Sequence, residues 1–260
     1  VSDDRDSQLL AAIYEIALEA GEKILEIYRK PIAVDRKDDK SPVTEADVAG
    51  EKIILAGLAR LTPEIPVIAE ESVAAGRIPE VDGRDFWLVD PLDGTKEFIS
   101  KNGEFTVNIA LVRRGRPVLG VIHVPAKAMS YGGAGAGTAW RRPLGGAAEP
   151  ITVRNPDDAG LIAVASRSHR SPETDAFLED YKVASIASAG SSLKFCLVAE
   201  GSADIYPRLG RTMEWDIGAG VAILEAAGGR VTKTDGSALA FGKPGFDNPH
   251  FVAWGNVTPA

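Results

Sequence analysis

Cysteine, methionine and histidine are scarce in this chain, with one, two and three residues among 260. A single cysteine, Cys196, excludes a disulfide within the chain and fits a reducing compartment. So few cysteines and histidines argue against a zinc site of the usual kind. Any metal would fall to carboxylates, which suit Mg2+, Mn2+ or Ca2+. Long apolar runs are missing too: nothing approaches the roughly 18 residues a spanning helix needs. The opening Val1-Ser2-Asp3-Asp4 is polar and carries no sign of a signal peptide. The expected location is cytoplasmic, with peripheral attachment at the inner face of the membrane left open. Positive charge is in deficit, 29 Lys and Arg against 37 Asp and Glu, for a formal net charge of −8. That balance speaks against nucleic-acid polymers and anionic membranes as partners. No obligate protein partner is expected, and no heptad or broad apolar stripe indicates an oligomeric state.

What is present is an ordinary globular composition, 45% hydrophobic and 25% charged, enough for one large core or two smaller ones. Leu9, Leu10, Ile13, Ile16, Ala17, Ala20, Ile24, Ile27 and Tyr28 recur at helical spacing and predict a long amphipathic helix closed by Pro31. Asp35 to Lys40 reads as a loop or hairpin. Thr44-Glu45-Ala46-Asp47 reads as a capping box opening a second helix to about Leu61. Val67 to Ala69, Phe86 to Val89, Phe105 to Val112 and Val118 to Val124 read as strands, the last two joined at Arg113-Arg114-Gly115-Arg116. Gly132 to Gly137 has the wrong spacing for a dinucleotide loop and reads as a hairpin turn. Beyond the Gly-, Pro- and Ala-rich stretch Pro143 to Pro156, Leu161 to Ala165 reads as a strand. Pro172 to Tyr181 and Ser191 to Glu200 read as helices, and a further helix runs from about Asp216 to Ala227, stopped by Gly228-Gly229. Strands and helices alternate in both halves, so the expectation is an α/β or α+β fold with subdomains 1–145 and 146–260.

The chemistry concentrates in Trp87-Leu88-Val89-Asp90-Pro91-Leu92-Asp93-Gly94-Thr95. A buried strand ends at an Asp, and Pro91 cannot donate to a sheet ladder, so pairing is expected to stop there. Gly94 permits a positive φ and Thr95 can begin a helix. Two carboxylates are thereby set beside backbone amides that could hold a phosphate, which is what metal-assisted phosphate chemistry needs. Asp-Pro and Asp-Gly are also common turn pairs, so a plain turn stands as the other reading. An EF-hand loop is excluded, because with Gly94 at its glycine position Val89 would be the first ligand. Glu70-Glu71 reads equally as solvated surface, Asp216 as a helix N-cap, and Asp47 as a capping-box member. None of these signals is strong alone.

Taken together they are more specific. Ala69-Glu70-Glu71-Ser72, Asp90-Pro91-Leu92-Asp93-Gly94-Thr95 and Trp215-Asp216-Ile217-Gly218-Ala219-Gly220, in this order and separation, closely resemble the three signatures of the inositol monophosphatase superfamily. Ala69 departs from the glycine many members carry. The resemblance implies a layered αβαβα sandwich and a Mg2+-dependent phosphomonoesterase using two or three ions. It implies that Glu70, Asp90, the Leu92 carbonyl, Asp93 and Asp216 are metal ligands. Glu70, Thr95 and Asp47 are the implied catalytic residues, with Thr95 and Asp47 near the attacking water. Bound cations would also reverse the field of an acidic protein for an anionic substrate.

A second layer of residues resembles the 3′(2′),5′-bisphosphate nucleotidase branch of the CysQ type: Thr95-Lys96-Glu97-Phe98, Ser166-Arg167-Ser168-His169, Gly190 to Gly201, and Ile205-Tyr206-Pro207-Arg208. The implied reaction is hydrolysis of 3′-phosphoadenosine 5′-phosphate to AMP and phosphate, with a clearing role in sulfur metabolism and sensitivity to Li+. A substrate with two phosphates needs donors far from the metals. Arg167, His169, Ser191, Ser192, Lys194 and Arg208 are the candidates, with Gly94, Thr95 and Asp216 on the scissile side. Cys196 lies in an apolar run and is expected in the core. The alternatives are an inositol- or sugar-monophosphate phosphatase, and a non-catalytic Mg2+- or phosphate-binding regulator.

Overall fold

The apolar spacing near the start forms α1 (Asp4–Tyr28), with Leu10, Ile13, Ala17, Ala20, Ile24 and Ile27 among its buried residues. This is a computed structural model, and it describes residues 4–31, 35–36, 42–166 and 172–258. A short antiparallel pair, β1 (Asp35–Arg36) and β2 (Pro42–Val43), leads into α2 (Glu45–Leu61). The expected capping box is formed there, Thr44 and Asp47 each satisfying the other's backbone. The rest of the Asp35 to Lys40 segment lies outside the described residues.

The first half continues through β3 (Val67–Ala69), α3 (Glu70–Ala74), β4 (Phe86–Asp93), α4 (Thr95–Ile99), β5 (Thr106–Arg113), β6 (Arg116–Val124), β7 (Met129–Ala134), β8 (Trp140–Pro143) and β9 (Glu149–Pro150). Its seven strands run side by side in chain order, parallel only between β3 and β4. The Gly132 to Gly137 stretch joins β7 to β8 as the expected hairpin. The second half comprises β10 (Leu161–Ser166), α5 (Pro172–Glu179), β11 (Val183–Ala189), α6 (Leu193–Ala199), β12 (Ile205–Arg208), α7 (Glu214–Ala226), β13 (Arg230–Lys233) and β14 (Phe251–Trp254). Its sheet has the order β11-β10-β12-β14-β13.

The two-residue period of the strands sorts side chains between layers. On β4, Trp87 and Val89 join a core with α1 and α2, while Phe86 and Leu88 join a central core with α6 and α7. On β14, Phe251 and Ala253 face the central core, while Val252 and Trp254 face a third core that includes Leu178 of α5. The layers are therefore α1–α2, sheet, α6–α7, sheet, α5, the expected αβαβα sandwich. Strands buried on both faces are largely apolar, which is why the middles of β4 to β6 read as hydrophobic runs. Among the described residues no helix is long and apolar enough to cross a membrane.

Helix α7 is buried nearly all round, because a sheet lies on either side of it. Glycines normally weaken a helix, but here they set its distance from its neighbours. A β-carbon at Gly218 would stand 2.9 Å from Leu88 Cδ1, and one at Gly220 only 2.4 Å from Phe195 Cγ. The helix ends as read: Gly228 has φ 93°, and the Gly229 amide returns to the Leu224 carbonyl at 2.9 Å.

A Gly220→Ala substitution is expected to destabilise the fold by about 1–3 kcal/mol, measured by urea denaturation, because the buried Phe195 ring has nowhere to retreat. His123 on β6 gives a pH test. Its Nδ1 lies 2.8 Å from Ser130 Oγ, and burial pulls its pKa down to about 4. It stays neutral in the fold but protonates near 6.5 when unfolded, so its contribution is whole above pH 6.5 and lost as pH falls toward 4. Stability should drop by about 2–3 kcal/mol across that window. A His123→Asn variant should lack that slope while differing from the parent by a constant offset.

Candidate active site

The end of β4 gathers the acidic side chains. Asp90 is 2% exposed, and its Oδ1 accepts the Leu92 amide at 3.0 Å. Pro91 breaks the ladder to β5 as expected but does not end it. The register shifts between Asp90 and Asp93, and Asp93 pairs again with Thr106. The correction is a bulge in place of a strand end: the missing Pro91 donor is skipped, and Asp90 and Asp93 are both aimed from one strand. Gly94 follows at φ 91°, ψ 46°, the left-handed region, where a β-carbon would also lie 3.2 Å from that of Ser191. That turn starts α4 at Thr95. Thr95 Oγ1 donates to Asp47 Oδ1 at 3.3 Å, and the other Asp47 oxygen accepts from the Thr44 amide and hydroxyl, both at 2.7 Å.

Asp216 arrives from the other half, in the first turn of α7, where its Oδ2 accepts the Met213 amide at 2.8 Å. Glu70 arrives at the start of α3. Burial raises the Asp90 carboxyl far above its ordinary range, and the charges of Glu70, Asp93 and Asp216 add to the effect. Asp216 is raised for the same reasons, burial first and then Asp93 and Glu70. Burial lifts Asp93 to about 6, with Lys194 and the Ser192 amide pulling the other way. Such a cluster of repelling, desolvated carboxylates is the setting a cation relieves. Among the described residues no imidazole or thiolate lines the cleft, and its carboxylate donors suit Mg2+ or Mn2+. Among the described residues no three acidic side chains form a complete cage for one ion. Mg2+ ordinarily takes only one or two carboxylates and fills its shell with water and phosphate, so the arrangement fits it.

The cleft has a volume of about 290 Å³, and basic and hydroxyl groups line it together with the acids. Lys194 is 4% exposed and donates to the Ser191 carbonyl, and burial brings its pKa down to about 8 against the pull of Asp93. Arg208 on β12 donates to the Arg211 carbonyl at 3.1 Å. Its Nε, and Ser191 Oγ, are buried without a hydrogen-bond partner among the described residues. Ser191 is held at φ 47°, an unfavourable value for a residue other than glycine. Buried polar atoms with no partner are uncommon, and two in one cleft wall point to a polar ligand.

Most residues singled out from the sequence meet here: Glu70, Asp93, Gly94, Thr95, Ser191, Ser192, Lys194, Arg208 and Asp216 line the cleft, with Asp47 behind Thr95. Ser192 plays a different part from the one expected. Its hydroxyl donates to Asn108 Oδ1 at 2.7 Å and lies 2.8 Å from Thr106 Oγ1, while its amide donates to Asp93 at 2.5 Å. It faces inward and ties α6 to β5. Arg167 and His169 lie outside the described residues. Tyr206, part of the Ile205 to Arg208 motif, also lines the cleft, whereas Thr106 and Asn108 went unread although two polar residues alternating along the apolar β5 are a visible signal. Cys196 is buried in the central core as expected, its thiol pushed up by burial.

The model of the inositol monophosphatase family matches residues 5–256. The 3′(2′),5′-bisphosphate nucleotidase CysQ of Salmonella typhimurium is 47% identical over 94% of this chain and 98% of its own length. The protein of the same name from Escherichia coli K12 is 44% identical over 94% of this chain and 98% of its own length. Among solved structures, CysQ from Bacteroides thetaiotaomicron superposes with a TM-score of 0.82 at 40% identity, covering 96% of this chain and 98% of that one. An inositol monophosphatase from Anabaena superposes with a TM-score of 0.75 at 28% identity, covering 95% and 90%.

The two adjacent serines should behave differently in the ligand-free protein. Ser192→Ala strands the buried Asn108 oxygen and should cost about 1–3 kcal/mol in denaturation. Ser191→Ala removes a hydroxyl that bonds to nothing and should stay within about 0.5 kcal/mol of the parent.

Proposed function

The chain belongs to the inositol monophosphatase family, and from that premise we infer that it is a 3′(2′),5′-bisphosphate nucleotidase, a phosphomonoesterase that releases one phosphate from a doubly phosphorylated nucleotide. The observation that carries this reading is a cleft lined by acids and bases together. Glu70, Asp93 and Asp216 share it with Lys194 and Arg208, and two of its polar atoms, Arg208 Nε and Ser191 Oγ, are buried with no hydrogen-bond partner among the described residues. A substrate with one phosphate would leave those buried donors unpaired. The substrate we assign is 3′-phosphoadenosine 5′-phosphate, converted to AMP and phosphate, in the service of sulfur metabolism.

Glu70, Asp90, Asp93, Asp216 and the Leu92 carbonyl would hold two or three Mg2+ ions, whose chemistry is to lower the pKa of a water and to offset charge on the departing oxygen. The protein's own part begins at Thr95. Its hydroxyl hydrogen is committed to Asp47, so its oxygen lone pairs face outward to accept from the attacking water. The water is thereby aimed, and its proton has a route through Thr95 to Asp47. Asp47 is anchored on its other oxygen by Thr44, so the pair does not swing. The first amides of α4 have no partner within the helix and adjoin the phosphoryl position beside Gly94. Lys194 and Arg208, with the Ser191 hydroxyl, would take the distal 5′-phosphate. The same proposal divides the chain into subdomains 1–145, with most metal-side residues, and 146–260, with Asp216 and the nucleotide-side residues.

The test compares three substrates under saturating Mg2+: 3′-phosphoadenosine 5′-phosphate, adenosine 3′-phosphate and inositol 1-phosphate. The bisphosphate should exceed inositol 1-phosphate in kcat/KM by about 100-fold. Arg208→Ala should raise KM for the bisphosphate about tenfold and leave adenosine 3′-phosphate, which lacks the distal group, nearly unchanged. Equal losses on both adenosine substrates would count against the assignment of Arg208.

A further inference from the structure

Glu51 belongs to none of the motifs that mark the site, yet it is a carboxylate only 4% exposed and close beside them. It lies on α2 four residues beyond Asp47, so the two side chains leave the same face of that helix. Both of its oxygens are spent at one place. Oε2 accepts the Glu71 amide at 2.7 Å, and Oε1 accepts the Ser72 hydroxyl at 2.6 Å. Those donors belong to the first turn of α3, whose first residue is Glu70.

Helix α3 has only five residues, and its N-cap is Ala69, which makes no side-chain capping bond. A short helix without a cap leaves its first amides unsatisfied and is not held by its own hydrogen bonds. Ala69 itself is wholly buried in the core with α1 and α2, where a polar side chain would be costly. The cap comes instead from another helix. Its bonds to a carboxylate are short and charge-assisted, the stronger kind. Placing one more acid near an already acidic cleft runs against electrostatics, and a purely structural cap had no need of it.

We propose that Glu51 is a positioning residue for Glu70. By capping α3 from α2, it fixes the backbone from which Glu70 enters the cleft. Because Asp47 rides on the same helix, it also sets Glu70 at a constant distance from the Asp47–Thr95 pair. This rests on the reading of Glu70 as a metal ligand.

The test is calorimetric titration of the full chain with Mn2+, alongside the half-activating metal concentration, substrate KM and the melting curve. The variants are Glu51→Ala and Ser72→Ala. Glu51→Ala should weaken Mn2+ binding and raise the half-activating concentration by about 10- to 100-fold, as loss of a group supporting a ligand does. KM for the bisphosphate at saturating metal should stay within about twofold. Ser72→Ala removes one of the two donors, so it should shift the same quantities in the same direction by less, and it keeps the test open if Glu51→Ala does not fold. Unchanged Mn2+ affinity in the folded variants, or a loss confined to melting temperature, overturns the inference. A parent protein that binds no Mn2+ overturns the ligand reading of Glu70, and the inference falls with it.

Discussion

Repulsion among Glu70, Asp90, Asp93 and Asp216 is the constraint to which the surrounding structure responds. Burial sharpens it, since a desolvated carboxylate resists ionising and each neighbour makes this worse. Lys194 beside Asp93 and Arg208 near Asp216 relieve the strain only in part. The fold pins three of the four with neutral backbone donors: Leu92 N on Asp90, Ser192 N on Asp93 and Met213 N on Asp216. Amides orient a carboxylate without cancelling its charge, so the attraction for a cation is preserved. The Pro91 bulge, the turn at Gly94 and the Ser192 tie to β5 all serve that holding.

The layered architecture is what brings Asp216 to the other three. Helix α7 lies in the central layer with its first turn against the end of β4, so a residue more than a hundred positions distant joins the same floor. The glycines of α7 belong to the same requirement, because they let it lie against Leu88 on one side and Phe195 on the other. What looks in the sequence like a functional signature is thus partly a packing code: Asp216 carries the charge, and Gly218 and Gly220 set the depth at which it is delivered.

Beside the acids stand Lys194 and Arg208, whose charges reach Asp93 and Asp216, and Ser191 at a strained φ. The segment that bears Ser191 and Lys194 is also tied to Asp93 through the Ser192 amide.

Much of this was legible beforehand, and the reason is local. The period of α1, the capping box at Thr44 and Asp47, the apolar runs of β4 to β6 and the glycine stop after α7 are each decided by residues within a few positions of one another. So was the concentration of acids around Asp90 and Asp93, and the resemblance joined Glu70 and Asp216 to it. What the chain alone left open depended on contacts distant in sequence. The strand at Val183–Ala189, built of Ala and Ser with little β-branching, exists because β10 offers it a parallel edge. Ser192 reads as a ligand-binding serine until β5 is seen to hold its hydroxyl. Glu51 reads as one more charge on a helix until α3 is found resting on it. Local hydrogen bonding and apolar periodicity determine the elements; only the packed layers decide which polar groups find partners and which, like Ser191 Oγ and Arg208 Nε, have none among the described residues.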